Sequence, residues 1–294
     1  MDIIYSKTLI AGAWMYPRQQ HMLNHIKTKI NSYICLEFNS KQKVEFKNLK
    51  FDLGIAWGAN KADQICDHCE NLITFEEGIY RGTSGLNEDN YFSFLEQCSI
   101  MGYDMVFKET DDSYRWNKLC KDLNLQSVDL KRGGDSILLL LFSPDDYTNK
   151  LNDKQYLVRV IETIERIRKI TNRKIIIRPH PETQHNFIMK LKVIAYKYFK
   201  VFLVLNKTLE EQLDEAYCCV VFGNSTAGVH SLLRGVPIIA LSEGKLYKSV
   251  TNTIENIENL DYEVDLTNWK NGLGYSMWQV SDFESGEAWN YILK

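Results

Sequence analysis

From Gln155 to Leu241 the chain alternates amphipathic helical stretches with short β-branched runs, an order that few folds other than a covered parallel sheet accommodate. Leu157, Val158, Ile161, Ile164 and Ile167 recur at helical spacing between Gln155 and Thr171, with charged residues between them. Residues 174–177 (Lys-Ile-Ile-Ile) are too short and too β-branched for a helix and read as a buried strand. Pro179 and Pro181 stop that strand and present His180 beyond its carboxyl end. A helix through 185–198 and a strand at 201–205 follow, and Thr208 with Glu211 makes a capping box for a helix ending near Ala216. The strand 217–222 opens into Gly223-Asn224-Ser225-Thr226-Ala227-Gly228. Val229, Leu232 and Leu233 face the next helix inward, Gly235 stops it, and Pro237 to Leu241 returns as a strand. The order β-α-β-α-β-α-β implies a parallel sheet covered on both faces.

The first half alternates less regularly, with strands expected at 8–14, 33–38, 52–57 and 71–75 and helices near 17–30, 59–69 and 88–101. A length of 294 residues with 45% hydrophobic content exceeds the usual single domain. The fold class expected is therefore α/β, with two Rossmann-like domains facing a cleft. The first spans 1–130 and the second 131–294, with the C-terminal tail packing back on the first. Lys131-Arg132-Gly133-Gly134-Asp135 reads as the hinge before an apolar strand at 137–142. In such a pair of domains, ligands sit at the carboxyl ends of strands.

No run of about 18 apolar residues occurs, and the amino terminus lacks the features of a secretory signal. A soluble protein with no membrane span and a cytoplasmic location is expected, and seven cysteines, an odd number, fit a reducing compartment. A net charge of −3 confines any nucleic-acid contact to a local patch, and no basic amphipathic helix suited to a membrane surface is read. Cys66-Asp67-His68-Cys69 invites a zinc reading, but no second ligand pair follows at structural-zinc spacing. Packing of a short helix before the strand at Asn71–Phe75 accounts for these residues, and no metal or other cofactor is expected.

Five motifs at strand ends could carry chemistry. Glu76-Glu77-Gly78 ends the strand 71–75, where a carboxylate pair serves general acid or base work or simply forms a solvated turn. Asp145-Asp146 follows the turn residues Ser143-Pro144. Arg178 precedes His180, which two prolines make a poor core residue. The hydroxyls of Ser225 and Thr226, beside Asn224, either cap the following helix or converge with its free N–H groups as an anion site. Lys245 is a further candidate for phosphate contact.

Taken in order, these motifs resemble the capsule polysaccharide synthesis family of glycosyltransferases and their bacterial sialyltransferase relatives. That group has an acidic-acidic-Gly, a His-Pro and a Ser-Ser/Thr motif on the two-domain GT-B architecture. The likeness is strongest over 174–247, through Asn224-Ser225-Thr226-Ala227-Gly228-Val229, Gly235-Val236-Pro237-Ile238-Ile239 and Tyr247. The resemblance implies a nucleotide-sugar donor whose phosphate is bound by His180, Ser225 and Thr226, with Asn224 and Arg178 nearby. It implies Glu76 as the acid or base for the acceptor hydroxyl, with Glu77 its neighbour and Gly78 and Arg81 adjoining. In retaining members an aspartate upstream of the His-Pro motif is the nucleophile, and Asp146 stands at that place. Family members often carry Gln at the end of that strand where this chain has Phe142.

Trp278-Gln279-Val280-Ser281 and Glu284-Ser285-Gly286-Glu287-Ala288-Trp289 resemble the carboxyl terminus of phage-encoded members of this group. That likeness implies a hydroxymethylated pyrimidine in duplex DNA as acceptor. Lys41, Lys43, Lys47, Lys50 and Lys61 would meet phosphate, and Trp57, Tyr80, Tyr114 or Trp116 would stack on an extruded base. The alternatives are a cell-surface polysaccharide or lipid-linked acceptor, and a nucleotide-binding protein without transfer activity.

Overall fold

The computed structural model describes residues 7–11, 17–29, 33–36, 50–79, 91–98, 102–143, 151–223, 225–241 and 244–292. The chain divides into two compact units, one of residues 1–107 with 275–294 and one of residues 108–274.

In the first unit the described elements are β1 (Thr8–Ala11), α1 (Pro17–Lys29), β2 (Tyr33–Leu36), β3 (Phe51–Trp57), α2 (Ala59–Ile65), β4 (Cys69–Glu77), β5 (Phe92–Cys98) and β6 (Gly102–Met105). Its sheet runs β2-β1-β3-β4-β5-β6, parallel through β4 and antiparallel from β4 to β6. The helix expected near 88–101 is strand β5. Phe92 and Phe94 alternate with Ser93, and aromatic residues fit a pleated surface better than a helix. The rings of Phe94 and Phe75 lie 4.9 Å apart, a cross-strand pairing that local periodicity does not reveal.

The second unit contains α3 (Tyr114–Leu123), β7 (Ser136–Leu140), α4 (Asp153–Arg168), β8 (Lys174–Arg178), α5 (His185–Phe199), β9 (Phe202–Leu203), α6 (Leu209–Asp214), β10 (Ala216–Val221), α7 (Thr226–Leu233), β11 (Ile238–Ala240) and α8, which runs from Thr267 to Tyr275. Its sheet is parallel throughout in the order β11-β10-β7-β8-β9. Ile137, Leu139, Ile175, Ile177, Cys218 and Val220 from its strands share one core with Tyr156, Val160, Ile164 and Ile167 of α4. Capping boxes close the starts of α4 (Asn152 with Gln155) and α6 (Thr208 with Glu211).

The division falls between Phe107 and Lys108 rather than at the expected 130/131. The intervening segment is fastened to the second unit. Arg115, Trp116 and Leu119 of α3 are buried, and Asn271 of α8 donates to the Thr110 carbonyl at 3.1 Å. The expected hinge is pinned as well, because Lys131 N–H donates to Gly235 O at 2.9 Å and Asp135 N–H to Glu215 O at 3.2 Å.

Residues 275–294 belong to the first unit. Trp278 exchanges two backbone hydrogen bonds with Phe92, at 2.7 and 2.9 Å. Two short helices follow, α9 (Val280–Glu284) and α10 (Glu287–Ile292), and their Phe283 and Trp289 join Phe75 and Phe94 in one core. A basic helix with apolar residues on its outward side is also present, contrary to expectation. In α5, Phe187, Leu191 and Ala195 turn inward while Met189, Val193 and Tyr196 stay exposed.

Candidate functional site

In the second unit's sheet the chain runs outward from β7 through β8 to β9, then crosses back to β10 and β11. The strand order therefore reverses between β7 and β10. Parallel sheets leave a ligand crevice at the carboxyl ends of the two strands flanking such a reversal. Here those ends are Phe142-Ser143 after β7 and Gly223 to Ser225 after β10, and Phe222 N–H holds them in step by donating to Leu140 O at 3.1 Å.

The turn after β10 is built for close approach. Gly223 sits at φ +67°, a left-handed backbone that side-chain-bearing residues rarely adopt, with the Phe142 ring beneath it. Ser225 takes the N-cap position of α7, yet its hydroxyl makes no capping bond. Simple capping thus does not account for this serine. Its carbonyl is held twice, by the Gly228 N–H at 2.9 Å and by the Tyr247 hydroxyl at 2.5 Å. A Cβ on residue 228 would lie 2.6 Å from that hydroxyl, so glycine is needed there for Tyr247 to reach the turn. Ser225 is half-buried, Thr226 is exposed, and the first turn of α7 opens beside them.

His180 stands at the end of β8, on the other side of β7. The register pairs Leu140 with both Arg178 and Val221, so β8 and β10 end level with each other, two strand spacings or about 10 Å apart. The Glu182 N–H donates to His180 Nδ1 at 3.3 Å. That donor leaves the lone pair on Nδ1 and the proton on Nε2, making the ring's far edge a hydrogen-bond donor. Arg178 is committed differently. Its Nη1 donates to Lys207 O at 2.9 Å and Gln212 Oε1 at 2.8 Å, tying the end of β8 to the start of α6. Burial lowers the guanidinium below its ordinary value.

The first unit places Glu76 and Glu77 at the last two positions of β4, paired with Ser93 and Phe92. Successive strand residues point to opposite faces, so the two carboxylates diverge. Glu76 Oε1 accepts the Glu77 N–H at 3.0 Å, and its Oε2 lies near Gly58 at the start of α2. Gly78 N–H donates to Tyr91 O at 2.8 Å. Asp145, Asp146, Asn224, Tyr80, Arg81, Lys41, Lys43 and Lys47 lie outside the described residues.

The chain is similar to the β-Kdo 2,7 transferase of KpsC from Thermosulfurimonas dismutans, with a TM-score of 0.54 and 14% identity over 91% of this chain and 89% of that one. The β-Kdo 2,4 transferase of the same organism's KpsC matches with a TM-score of 0.52 and 13% identity over 91% and 89%. What is shared is the fold, an α/β architecture of the GT-B type. No protein-family model matches the chain, and no curated protein matches it.

Several expectations need amendment. Trp116 is only 9% exposed and belongs, with Tyr114, to the second unit, so it offers no stacking surface in the first. Trp57 packs edge-on against Phe92 at 5.6 Å. Lys50 Nζ donates to the Asp67 carbonyl at 2.7 Å. Lys245 is exposed in a short 3-10 turn after β11. Cys69 packs its sulfur against Gly54, burial pushes its thiol up to about 11, and among the described residues no three His, Cys, Asp or Glu side chains assemble as a metal site. Two residues gain a role that the sequence did not assign them. Phe142, read only as a departure from Gln, packs at a tilt against Tyr156 with ring centroids 4.6 Å apart and floors the Gly223 turn, and Tyr247 fixes the Ser225 carbonyl. In the sequence Phe142 stood only as an aromatic residue after a strand, and Tyr247 only as one of the residues that carry the resemblance.

Proposed function

We propose that the chain is a glycosyltransferase that moves a sugar from a nucleotide donor to an acceptor hydroxyl. The observation that carries this is Ser225, a half-buried N-cap residue at the strand-order reversal whose hydroxyl does not cap its helix. In this reading the Ser225 and Thr226 hydroxyls, the first-turn N–H groups of α7 and the His180 Nε2–H receive the donor's phosphate. As the bond from the anomeric carbon to the phosphate oxygen breaks, negative charge gathers on that oxygen, and these donors offset it without a metal or other cofactor. Glu76 takes the proton of the attacking acceptor hydroxyl. Asp146 acts as nucleophile if the reaction retains configuration, and Glu77, Gly78, Arg81, Asn224, Arg178 and Lys245 support the two ends of the site.

The thermal stability of the protein in the presence of UDP, CMP, GDP and CDP sugar conjugates tests this. One conjugate should stabilise by about 2.7 kcal/mol at a hundred times its dissociation constant. Ser225→Ala with Thr226→Ala should abolish that gain, and Glu76→Gln should keep it while losing turnover. Absence of stabilisation by every conjugate would end the reading. Nucleotide binding with no transfer to any acceptor, and no effect of Glu76→Gln, would leave the non-catalytic alternative.

The finer reading assigns a hydroxymethylated pyrimidine of phage DNA as acceptor, supported by Lys61 on the first unit and by the tail motifs. A cell-surface or lipid-linked acceptor is favoured instead by the outward face of α5. Gel shift with duplex DNA separates them, since phosphate-driven binding weakens steeply with salt.

A further inference from the structure

Of the ten large apolar side chains exposed among the described residues, six fall within 189–205. On α5, Met189, Val193 and Tyr196 recur at i, i+4 and i+7 and form one outward stripe, opposite the buried Phe187, Leu191 and Ala195. Phe202 of the edge strand β9 continues it, 5.9 Å from Tyr196 ring to ring, and Leu205, just beyond β9, is exposed as well. Scattered apolar residues are ordinary on a surface, but a contiguous stripe marks a site of association.

Charge names the partner. From His185 to Asn206 there is no Asp or Glu, whereas lysines stand at 190, 192, 197 and 200 in a chain whose net charge is −3. On a helical projection Lys190 and Lys197 flank the stripe on one side and Lys192 on the other. Lys200 and Lys197 lie over the Tyr196 and Tyr198 rings at 5.0 and 5.2 Å, each a cation held beside an amphipathic ring. An apolar centre with lysines along both sides and tyrosines among them suits a layer that is apolar below and anionic above. Duplex DNA would gain nothing from the apolar centre, and a second copy of this face would set lysines against lysines.

We propose that the outward face of α5 with β9 docks the protein on an anionic lipid surface. The surface is independent of the donor-site reading, and if it holds, the acceptor class shifts from DNA toward lipid-linked or cell-surface molecules. The test is co-sedimentation of the full chain with phosphatidylcholine vesicles with and without phosphatidylglycerol. Binding should require the anionic lipid and weaken with salt. Val193→Ser with Phe202→Ser, and separately Lys190→Glu with Lys197→Glu, should each reduce bound protein about tenfold. Both pairs are exposed, so the thermal midpoint and any donor-induced stabilisation should stay unchanged, separating this proposal's failure from that of the donor site. No binding to anionic vesicles at low salt, or undiminished binding by both variants, would overturn it. So would an oligomer that the serine variant dissociates, or a duplex-DNA gel shift lost in the lysine variant while vesicle binding persists.

Discussion

The two units solve the same problem by different means. The sheet of residues 108–274 is parallel throughout, and each of its strands is joined to the next by a segment carrying at least one helix. The sheet of residues 1–107 starts in the same way but turns antiparallel at β5, and chain from the far end of the sequence completes its core. A parallel sheet made of successive crossovers buries each strand with the helix beside it in sequence, so local pattern and tertiary packing agree. Where a core borrows Phe283 and Trp289 from beyond residue 275, they diverge. The first unit should therefore be sensitive to remote residues in a way the second is not.

The largest expected effect attacks that dependence directly. Trp289→Ala removes a fully buried side chain and should destabilise the first unit by about 3–5 kcal/mol. Hydrogen exchange should then quicken in β4 and β5 while β7, β8 and β10 keep their protection, and equal loss in both sheets would break the contrast. In the second unit the sensitive point is local. Gly228→Ala sets a Cβ against the Tyr247 hydroxyl and should cost about 1–3 kcal/mol in urea unfolding, with loss of nucleotide-induced stabilisation.

A smaller effect distinguishes the two faces of the chemistry. His180→Gln should weaken nucleotide affinity about tenfold by calorimetry while stability stays within about 0.5 kcal/mol. Glu76→Gln should leave that affinity alone. The smallest effect concerns pH, and it compares His25 of the first unit with His230 of the second. Burial holds both imidazoles below their ordinary value of 6.5. The unfolded chain then takes up protons before the folded one as pH falls, so the stability these groups contribute is present above about 6.5 and lost below it. Urea midpoints should decline from pH 7 to about 5.5, and His230→Gln should flatten only the second unit's share.

The sequence carried the second unit almost whole. The strand at 174–178, the helix beginning at His185 and the Thr208–Glu211 box stand where the spacing put them. Each depends on residues two to four apart. Strand β5 was misread because Phe92 and Phe94 make sense only beside Phe75, and α3 was not read at all because the backbone it packs against at Gly274 of α8 lies about 150 residues on. The candidate site was legible as motifs at strand ends, because prolines, glycines and hydroxyls punctuate a chain locally.

Sequence alone thus determined which segments are strand or helix in residues 153–241 and which chemical groups stand at their ends. Tertiary structure decided the rest. It set the strand order that brings the ends of β7 and β10 together, sent Glu76 and Glu77 to opposite faces, and bound Tyr247 to a carbonyl 22 residues earlier. The reason is physical. Local periodicity follows from backbone geometry within a few residues, whereas distant contacts form only where buried surface outweighs the entropy of closing the chain between them.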